Sequence, residues 1–568
     1  MDNCEACSLP DTQYAVQLIG PGELKLNTHK PVPRPKGRQI LLRVEAVGLC
    51  FSDLKLLKLF SAHPRKSKII SGLPAADLAG LAGYVPGDAP TVPGHEAVCR
   101  IAAVGPDVRH YKVGQRCMVQ ADFRQLATAG ANAAFGYNIE GGLQQYALLD
   151  ERVVVDPATG EQFLMPVSNT LSASAACLVE PWACVENSYA SQERRTIKAG
   201  GRLLVAAEPG RSIEGLAESF SPKGRPAAVT AACTEQAQLE AIRALGAPLS
   251  RCEQLADLAD EGFDDIVYFG AKKAALDVLN DKLAAYGIIN IVVAGERIGR
   301  PVSINVGRVH YGRTRWIGTK SSNAAESYKV ITATGEIHPG QAVAVIGAGG
   351  PMGQMHVIRD ICSGVAGISV VATDLDDVRL AALHAKAGPL AAERNVPFRL
   401  VNTRAKPLDE TFDYFALMAP VGQLVADAIR HARDGCRISI FAGIPTATKY
   451  ELDMDTYIER RCFMFGTSGS ELSDMRTILA KVESGRLDAN CSVDAVSGMA
   501  GAADGIAAVE NRAVAGKIVV YPSLADVRLV PLKQLAERFP TVAGKLNRGM
   551  WCKAAEDELL AVAGKNTP

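Results

Sequence analysis

Four side chains that bind transition metals lie in three short motifs within the first third of the chain. They are Cys50 in segment 48–53, His95 and Glu96 in segment 93–96, and Glu180 in segment 179–181. A thiolate, an imidazole and one or two carboxylates suit Zn²⁺, and three protein ligands leave a position for water or substrate. We predict one catalytic zinc ion, which would acidify an alcohol or polarise a carbonyl. The motifs leave open whether Glu96 or Glu180 is the inner ligand.

Two residues that follow Cys50 are expected to assist this metal centre. Ser52 lies two residues beyond the thiolate, close enough to pass the proton of a substrate hydroxyl outward. Asp53 is predicted to hold the far ring nitrogen of His95, as acids behind zinc-bound histidines commonly do.

A second chemical pattern, in residues 343–374, predicts a dinucleotide site. An apolar strand at 343–346 runs into a glycine-rich turn, then a helix-like stretch at 354–361 and a second apolar run at 368–372. The turn contains Gly347, Gly349, Gly350, Pro351, Met352 and Gly353. Strand, glycine turn, helix and strand is the order that a βαβ nucleotide site requires. The glycines let the backbone approach a pyrophosphate, and the helix N-terminus offers free N–H groups to its charge.

The second strand of this pattern ends near Asp374, 21 residues after Gly353 (374 − 353 = 21). A carboxylate there accepts hydrogen bonds from the ribose hydroxyls and repels a 2′-phosphate, which favours NAD over NADP. Arg379 is either a surface residue of the next helix or lies over the adenine.

The same pattern occurs once more, upstream and in degraded form. Gly200 aligns with Gly340, an offset of 140, and later landmarks such as Gly318 and Gly466 have an offset of 148. A repeat of this length indicates a duplicated subdomain. In the first copy Glu208 lies in the turn, where it would repel a pyrophosphate, and Ala232 stands in place of Asp374, so we interpret this copy as structural. We hypothesise that its sheet pairs with that of the second copy, which would cover an exposed edge.

The composition excludes several classes of protein. The 568 residues suffice for three or four domains, and 61 basic residues balance 61 acidic ones, which argues against nucleic acid or an anionic membrane as partner. The start lacks the basic flank and apolar segment of a secretion signal, and the longest apolar runs are too short to span a bilayer. The fourteen cysteines are therefore interpreted as free thiols, and the expected location is the cytoplasm.

Taken together, these motifs resemble the zinc-dependent medium-chain dehydrogenase/reductase family. The resemblance rests on segments 47–53, 92–119, 141–146 and 180–181 and resumes from 198 to 522. It is greatest for the polyol and threonine dehydrogenase branch, in which Glu-Pro replaces a cysteine ligand. Segments 136–146 and 349–356 are similar to reductases of the L-sorbose 1-phosphate type. The resemblance implies an α/β chain with a GroES-like β-barrel catalytic domain and two tandem Rossmann folds.

The resemblance also implies roles for single residues. Cys50, His95 and a carboxylate would bind zinc, and the substrate alcohol would lose hydride to nicotinamide. The family often has a four-cysteine structural zinc lobe, but only Cys99 and Cys117 lie between the histidine motif and residue 141, so no structural zinc is expected. Where alcohol dehydrogenases place a relay histidine this chain has Lys55, which would assist a proton path or contact an anionic substrate.

The gap between Cys50 and His95 is longer than usual for the family. Its insertion carries a basic cluster that is interpreted either as a solvated loop or as a phosphate clamp. The cluster comprises His63, Arg65, Lys66 and Lys68.

From these patterns we predict six segments. They are a flexible N-terminal tail (1–14), a zinc-binding catalytic domain (15–191), a degenerate Rossmann fold (192–334), an NAD-binding Rossmann fold (335–480), a return to the catalytic domain (481–524) and a helical C-terminal appendage (525–568). Family members typically dimerise by joining the edge strands of two nucleotide folds. The chain is therefore expected to be a monomer with an internal pseudo-dimer, or a homodimer.

The leading functional hypothesis is a zinc-dependent NAD(H) dehydrogenase that acts on a secondary alcohol of a polyol, a sugar or a sugar phosphate. Two alternatives are a zinc-free enone or quinone reductase of the same superfamily, and a non-catalytic NAD-sensing scaffold. Tightly bound zinc that is lost on replacing Cys50 would favour the dehydrogenase.

Overall fold

The computed structural model describes residues 9–564 and divides the chain into two compact units. The first unit contains the chain up to Cys184 and from Gly469 onward, and the second unit contains Val185–Ser468. Cys4 and Cys7, whose spacing resembles that of metal ligands but which have no second pair to complete a site, lie outside the described residues. Strand β1 begins at Thr12, inside the segment assigned to a flexible tail, because Gln13 is buried and exchanges two hydrogen bonds with the backbone of Tyr146.

The first unit begins with short strands and helices that form the small barrel expected from the sequence. Its strands up to residue 184 are β1 (Thr12–Gly20), β2 (Glu23–Pro31), β3 (Gln39–Gly48), β4 (Glu96–Val104), β5 (Arg116–Val119), β6 (Asp122–Ala127), β7 (Asn132–Ala134), β8 (Tyr146–Asp150) and β9 (Leu164–Pro166). The helices are α1 (Phe51–Leu59), α2 (Ala75–Leu78), α3 (Glu151–Val154), α4 (Ala173–Cys177) and α5 (Val179–Ala190). Short 3₁₀ turns at Phe60–Ala62 and Pro64–Lys66 lie in the insertion.

The second unit contains the two copies of the repeat. The first copy has strands β10 (Arg202–Ala207), β11 (Ala228–Ala232), β12 (Leu249–Arg251), β13 (Phe263–Phe269), β14 (Leu283–Val292), β15 (Val302–Ile304) and β16 (Arg315–Thr319), with helices α6 (Gln236–Arg243), α7 (Lys273–Lys282), α8 (Val306–Tyr311) and α9 (Ala325–Tyr328). The second copy has strands β17 (Ala342–Ile346), β18 (Ser369–Asp374), β19 (Phe398–Asn402), β20 (Phe412–Leu417), β21 (Ala432–Ile440), β22 (Tyr450–Leu452) and β23 (Phe463–Phe465), with helices α10 (Pro351–Ile361), α11 (Asp377–Glu393), α12 (Gly422–Arg430) and α13 (Met454–Glu459).

From Gly469 the chain belongs to the first unit again. It forms α14 (Leu472–Glu483), β24 (Val493–Ser497), α15 (Ala502–Glu510), β25 (Lys517–Val520), β26 (Val530–Pro531), α16 (Leu535–Arg538), α17 (Pro540–Ala543) and α18 (Lys553–Gly564). Helix α14 crosses residue 480, where the sequence places a boundary, because its buried face continues through Val482. Strands β24, β25 and β26 join β3, β4, β5 and β9 in one sheet, so the returning chain completes the barrel.

The C-terminal segment is anchored to this unit by buried polar contacts. Trp551 is fully buried and donates through its indole to Ser174 Oγ and Tyr521 Oη, each at 3.1 Å. The carboxylate of Glu556 accepts hydrogen bonds from the backbone amides of Ala173 and Ser174 at the start of α4. The helical appendage predicted from the sequence is therefore packed against the helix that precedes Glu180.

The two repeat copies share one twelve-stranded sheet. Its order is β12-β11-β10-β13-β14-β16 for the first copy, followed by β23-β21-β20-β17-β18-β19 for the second. Each half, read from its own outer edge, has the 3-2-1-4-5-6 order of a Rossmann fold. The strands are parallel within each half, and β16 pairs antiparallel with β23 where the halves join. The predicted pairing of the two sheets is confirmed.

The junction between the copies has the pattern of a two-fold axis. Trp316 pairs with Met464, and 316 + 148 = 464, so corresponding residues meet. Nearby, β15 and β22 pair antiparallel, with Val302 opposite Leu452 and Ile304 opposite Tyr450. Since 302 + 148 = 450 and 304 + 148 = 452, Val302 lies opposite the counterpart of Ile304, and Ile304 lies opposite the counterpart of Val302. Reciprocal contacts of this kind are typical of isologous dimer interfaces.

One apolar core spans both copies, with buried residues that run from Leu204 to Met464. In the described part of the chain, no helix is both long and apolar enough to cross a bilayer.

Candidate active site

The three predicted metal-binding residues of the barrel meet because β3 and β4 are antiparallel neighbours. Cys50 follows the end of β3 and caps α1, while His95 directly precedes β4 and Glu96 is its first residue. The register places Gly48 opposite Glu96. Ligand atoms of Cys50, His95 and Glu96 all lie within 4.8 Å of one another, the one group of this kind among residues 9–564. The 45-residue separation in sequence is thus closed by one strand pair.

Asp53 connects two members of this metal-ligand cluster. Its Oδ1 lies 3.1 Å from His95 Nδ1, and its Oδ2 accepts a hydrogen bond from the Cys50 backbone amide at 2.9 Å. The predicted contact between Asp53 and His95 is therefore present. A carboxylate at Nδ1 leaves the other ring nitrogen as the one directed at a metal.

Glu96 is fully buried, and its two oxygens have different surroundings. Oε1 forms an ion pair with Lys517 of β25, whereas Oε2 has no hydrogen-bond partner. Burial lowers the pKa of Lys517, but Glu96, Cys50 and Glu180 raise it more, so the ammonium stays charged. Sequence reasoning missed Lys517; its only signal was a lysine at the start of an apolar strand.

Glu180 lies in the first turn of α5 and is not a member of the cluster of three. Burial raises its pKa to about 7, with Glu96 and Asp122 adding to the rise and His95 and Lys517 opposing it. Glu180 therefore lies within electrostatic range of the cluster. Of the two carboxylates that the sequence left open as inner ligand, Glu96 is the one whose oxygen lies close to the ligand atoms of Cys50 and His95.

The donor atoms and charges of the cluster suit a bound divalent cation. Asp53 and Glu96 are buried beside the half-buried Cys50, and one buried carboxylate oxygen, Glu96 Oε2, lacks a hydrogen-bond partner. Burial lowers the pKa of His95, but Tyr137 and Asp53 raise it well above its usual value, so the site favours added positive charge. Sulfur, imidazole nitrogen and carboxylate oxygen are the donors that Zn²⁺ prefers.

Ser52 contacts both His95 of this cluster and the aromatic residue Tyr137. Its Oγ is 3.2 Å from His95 Nε2, so the residue assigned to proton transfer is within hydrogen-bonding distance of the cluster. Tyr137 is buried beside it, and the centroid of its ring lies 5.8 Å from that of His95 and 5.0 Å from that of His63. Burial raises the pKa of Tyr137, and the hydrogen bond from Ser52 acts in the opposite direction.

The four basic residues of the insertion have different surroundings. Lys66 is fully buried and donates to the backbone carbonyls of Val85 and Ala89, so it fastens the insertion. Burial lowers the pKa of His63 to about 4, with Arg65 and the exposed Lys55 as further causes. Lys68 is exposed.

Arg65 forms an ion pair with Asp122, the first residue of β6. The distance from Nη2 to Oδ1 is 2.8 Å, and the guanidinium lies 5.4 Å from the Tyr137 ring centroid. Burial lowers the pKa of Arg65, while Asp122, Tyr137, Glu180 and Cys184 raise it above its usual value. Asp122 and Tyr137 were not singled out from the sequence, since neither lies in a metal or nucleotide motif.

The glycine turn of the second copy has the backbone that a dinucleotide site requires. Gly347 has φ 81°, and helix α10 begins at Pro351, three residues earlier than the sequence indicates, because proline is favoured in the first helical turn. A Cβ on Gly353 would lie 2.6 Å from Ala348 Cα. At Gly350, by contrast, the nearest atom to such a Cβ is 4.0 Å away, so the turn is open at the helix N-terminus.

Asp374 and Arg379 support this turn from the adjacent strand and helix. Asp374 ends β18, and its Oδ2 accepts a hydrogen bond from the Gly349 amide at 2.8 Å. A Cβ on Gly349 would lie 2.7 Å from that oxygen and 2.8 Å from Arg379 Cβ. Arg379 therefore backs the turn, and both residues are half-buried.

In the first copy, the side chain of Glu208 fills the corresponding turn. Glu208 Oε1 accepts hydrogen bonds from the amides of Ala271 and Lys272, at 3.1 and 3.0 Å, and from Tyr268 Oη. Only a 3₁₀ turn at Ala217–Ser219 separates β10 from β11, so no helix follows the turn. The nucleotide cradle of the second copy has no equivalent here.

Parts of the chain are similar to known proteins. The family model described as the alcohol dehydrogenase GroES-like domain matches residues 36–158. The chain is 24% identical over 371 residues to the uncharacterized protein YggP of Escherichia coli (strain K12), covering 58% of this chain and 79% of that protein. It is 22% identical over 367 residues to mannitol-1-phosphate 5-dehydrogenase of Aliivibrio fischeri, covering 59% and 80%. A cobalt- and zinc-bound thermostable alcohol dehydrogenase from Pyrobaculum aerophilum aligns with a TM-score of 0.47 and 14% identity, over 90% of this chain and 99% of the other.

The matched GroES-like domain includes most of the barrel strands and the three residues of the metal-ligand cluster. The chain is similar to the zinc-type medium-chain dehydrogenases: its barrel matches the alcohol dehydrogenase GroES-like domain, and dehydrogenases of polyols and polyol phosphates are among its relatives.

Proposed function

We propose that the protein is a zinc-dependent, NAD(H)-linked dehydrogenase that interconverts a secondary alcohol of a polyol or sugar with its ketone. The observation that carries this proposal is the group of Cys50, His95 and Glu96, whose ligand atoms lie within 4.8 Å of one another. Relatives of the chain include a dehydrogenase of a polyol phosphate, which leaves phosphorylated and neutral substrates both in view.

Cys50, His95 and Glu96 would hold the metal, with Glu180 as the carboxylate that can exchange with Glu96. When bound, zinc supplies Lewis acidity that lowers the pKa of an alcohol or polarises a ketone. Lys517 orients the carboxylate of Glu96, because the two form a buried ion pair. Asp53 orients the imidazole of His95 through Nδ1.

Ser52 is the residue best placed to carry the substrate proton. Its hydroxyl both donates and accepts, and it lies within reach of His95 and Tyr137. Tyr137 is fully buried, so it also excludes water from that side of the cluster. The exposed Lys55 is the candidate for the outer end of a proton path.

The second repeat copy would bind NAD, which accepts or supplies the hydride. Its pyrophosphate would be held by the amides at the start of α10, at residues 350–353. The carboxylate of Asp374 would bind the adenosine ribose, which favours NAD over NADP. Arg379 would line the adenine side.

The test combines metal content with turnover. We expect one tightly bound zinc ion per chain and NADH release with at least one secondary alcohol from a panel of polyols and sugar phosphates. Cys50→Ala should lose both, whereas Cys252→Ala, at a half-buried cysteine of the first repeat copy, should lose neither. Turnover that survives zinc removal would refute the zinc-dependent mechanism, and NADH binding without any turnover would refute the enzyme.

The internal sheet suggests the assembly state. The strand that joins subunits in dimers of this family is already paired within the chain. We therefore propose a cytoplasmic monomer of 60.1 kDa, which light scattering on the purified protein would test. A mass near twice this value would refute the monomer.

A further inference from the structure

We propose that the ion pair of Arg65 and Asp122 recognises hydroxyl groups of an uncharged polyol, and that it disfavours a phosphorylated substrate. This inference rests on the proposed function and names the substrate class of the same site.

The pair lies beside the metal-ligand cluster and is partly open to solvent. The Arg65 side chain is 28% exposed and that of Asp122 is 9% exposed, so the guanidinium is the more accessible partner. Tyr137 contacts both regions, since its ring lies 5.4 Å from the Arg65 guanidinium and 5.8 Å from the His95 ring. The ion pair and the His95 ring are therefore both neighbours of one Tyr137 ring, and on this proposal the more distant hydroxyls of a bound substrate lie on the side of the ion pair.

The chemistry of the pair matches vicinal hydroxyl groups. Each hydroxyl donates one hydrogen bond and accepts others, and the pair offers N–H donors next to carboxylate lone pairs. The guanidinium has five N–H groups, and its contacts with Asp122 are made by Nη2. Because both partners are already held in place, little conformational freedom is lost when a polyol binds.

The same arrangement is poor for a phosphate. The charge of Arg65 is compensated by Asp122, and the carboxylate of Asp122 would repel a dianion. Lys66 donates to two backbone carbonyls, and the low pKa of His63 leaves its ring neutral at pH 7. The phosphate clamp that the sequence left open is therefore not assembled from Arg65, Lys66 and His63.

The first experiment uses Arg65→Gln, with Arg100→Gln as its matched control. Arg100 is an ion-paired arginine of the same barrel whose side chain is 29% exposed, and its partner is Glu45. For the zinc-loaded protein, Arg65→Gln should lower kcat/KM for hexitols about 10- to 100-fold, mostly through KM, because charge-assisted hydrogen bonds are lost. It should leave butan-2-ol, which lacks distant hydroxyls, within about twofold. Arg100→Gln should change neither substrate.

A binding measurement separates recognition from chemistry. In protein carrying zinc and NADH, the dissociation constant of the hexitol should rise by the same factor in Arg65→Gln. An equal loss for hexitol and butan-2-ol would overturn the inference, because it would indicate a general disturbance of the site. Failure of the wild-type protein to oxidise any alcohol would instead refute the proposed function.

The second experiment tests discrimination against phosphate. The wild-type protein should prefer a hexitol to its 1-phosphate, and Asp122→Asn should reduce that preference at least about tenfold by leaving the charge of Arg65 uncompensated. A wild-type preference for the phosphate, or an unchanged preference in Asp122→Asn, would overturn the inference.

Discussion

The two halves of the twelve-stranded sheet have the same strand order, but the turn after their first strand is open in one half and filled by a side chain in the other. In the second copy that turn is open, with glycines at 347, 349, 350 and 353 and a helix that begins at Pro351. In the first copy Glu208 fills the turn and no helix follows. The carboxylate of Glu208 takes amide hydrogen bonds at a place where the intact fold would use amides to hold a phosphate.

This difference indicates that the sheet and the cofactor turn are separable. Strands β10, β13 and β14 remain buried and apolar in the first copy, and they share one core with the second. Burial of the strands stabilises the fold, whereas nucleotide binding depends on a few backbone positions in one loop. A copy that has lost the loop therefore still serves as a pairing partner.

The largest expected effect is at the junction of the two copies. Trp316 is 1% exposed, and its carbonyl accepts a hydrogen bond from Tyr457 at 2.8 Å. Trp316→Ala should lower the free energy of unfolding by about 3–5 kcal/mol, because it leaves a large cavity where the copies meet. Thermal unfolding would measure this, with Tyr286→Ala, at a 64% exposed aromatic, as control. An unchanged midpoint would mean that the copies are stable without their junction.

The next effect is on the open turn. A Cβ on Gly353 would overlap backbone atoms of Gly347 and Ala348, so Gly353→Ala must displace the turn. We expect the dissociation constant of NADH to rise about 100-fold, since a displacement near 1 Å costs about that much. Fluorescence titration would measure it, together with a stoichiometry of one NADH per chain. Two NADH per chain in the wild-type protein would show that the first copy also binds the cofactor.

A smaller effect is expected at the closed turn. Glu208→Ala removes the acceptor for Ala271, Lys272 and Tyr268, which should cost about 1–3 kcal/mol of stability. Glu208→Gln retains an acceptor oxygen and should lose less. Denaturant unfolding would compare the two variants, and NADH affinity should be unchanged in both. A gain of a second NADH site on removing the carboxylate would contradict our view that the missing helix also matters.

The smallest effect concerns cofactor choice. Asp374→Ala removes a negative charge beside the turn, so the ratio of NADPH to NADH affinity should rise about tenfold. Asp377→Ala, which removes an exposed charge in the first turn of α11, should leave the ratio unchanged. Equal effects of the two changes would indicate a general electrostatic influence and not contact with the ribose.

The motifs that the sequence identified were those whose members are close along the chain or follow a repeated order. The glycine turn and Asp374 could be located because strand, turn and strand are consecutive in a βαβ unit. Cys50 and His95 could be paired because their motifs are specific, and one strand pair brings them together. The start of α10 was misplaced by three residues because the glycines before it obscured the first helical turn.

Other site residues were beyond sequence reasoning. Lys517 is 421 residues from Glu96, and no local pattern links them. Arg65 and Lys66 are adjacent and chemically similar, yet one pairs with Asp122 at the site and the other is buried against backbone carbonyls. Which of the two neighbouring cations forms an ion pair and which is buried against backbone carbonyls depends on how the insertion folds over the barrel.

The sequence by itself determined the fold class, the duplication and the candidate residues for a metal and a nucleotide, because these depend on residue type and short-range order. Only the tertiary structure decided which carboxylate joins Cys50 and His95, how Glu208 closes the first turn, and that Trp316 meets Met464. The physical reason is that ion pairs, buried hydrogen bonds and strand junctions join residues far apart in the chain, and their partners are chosen by packing.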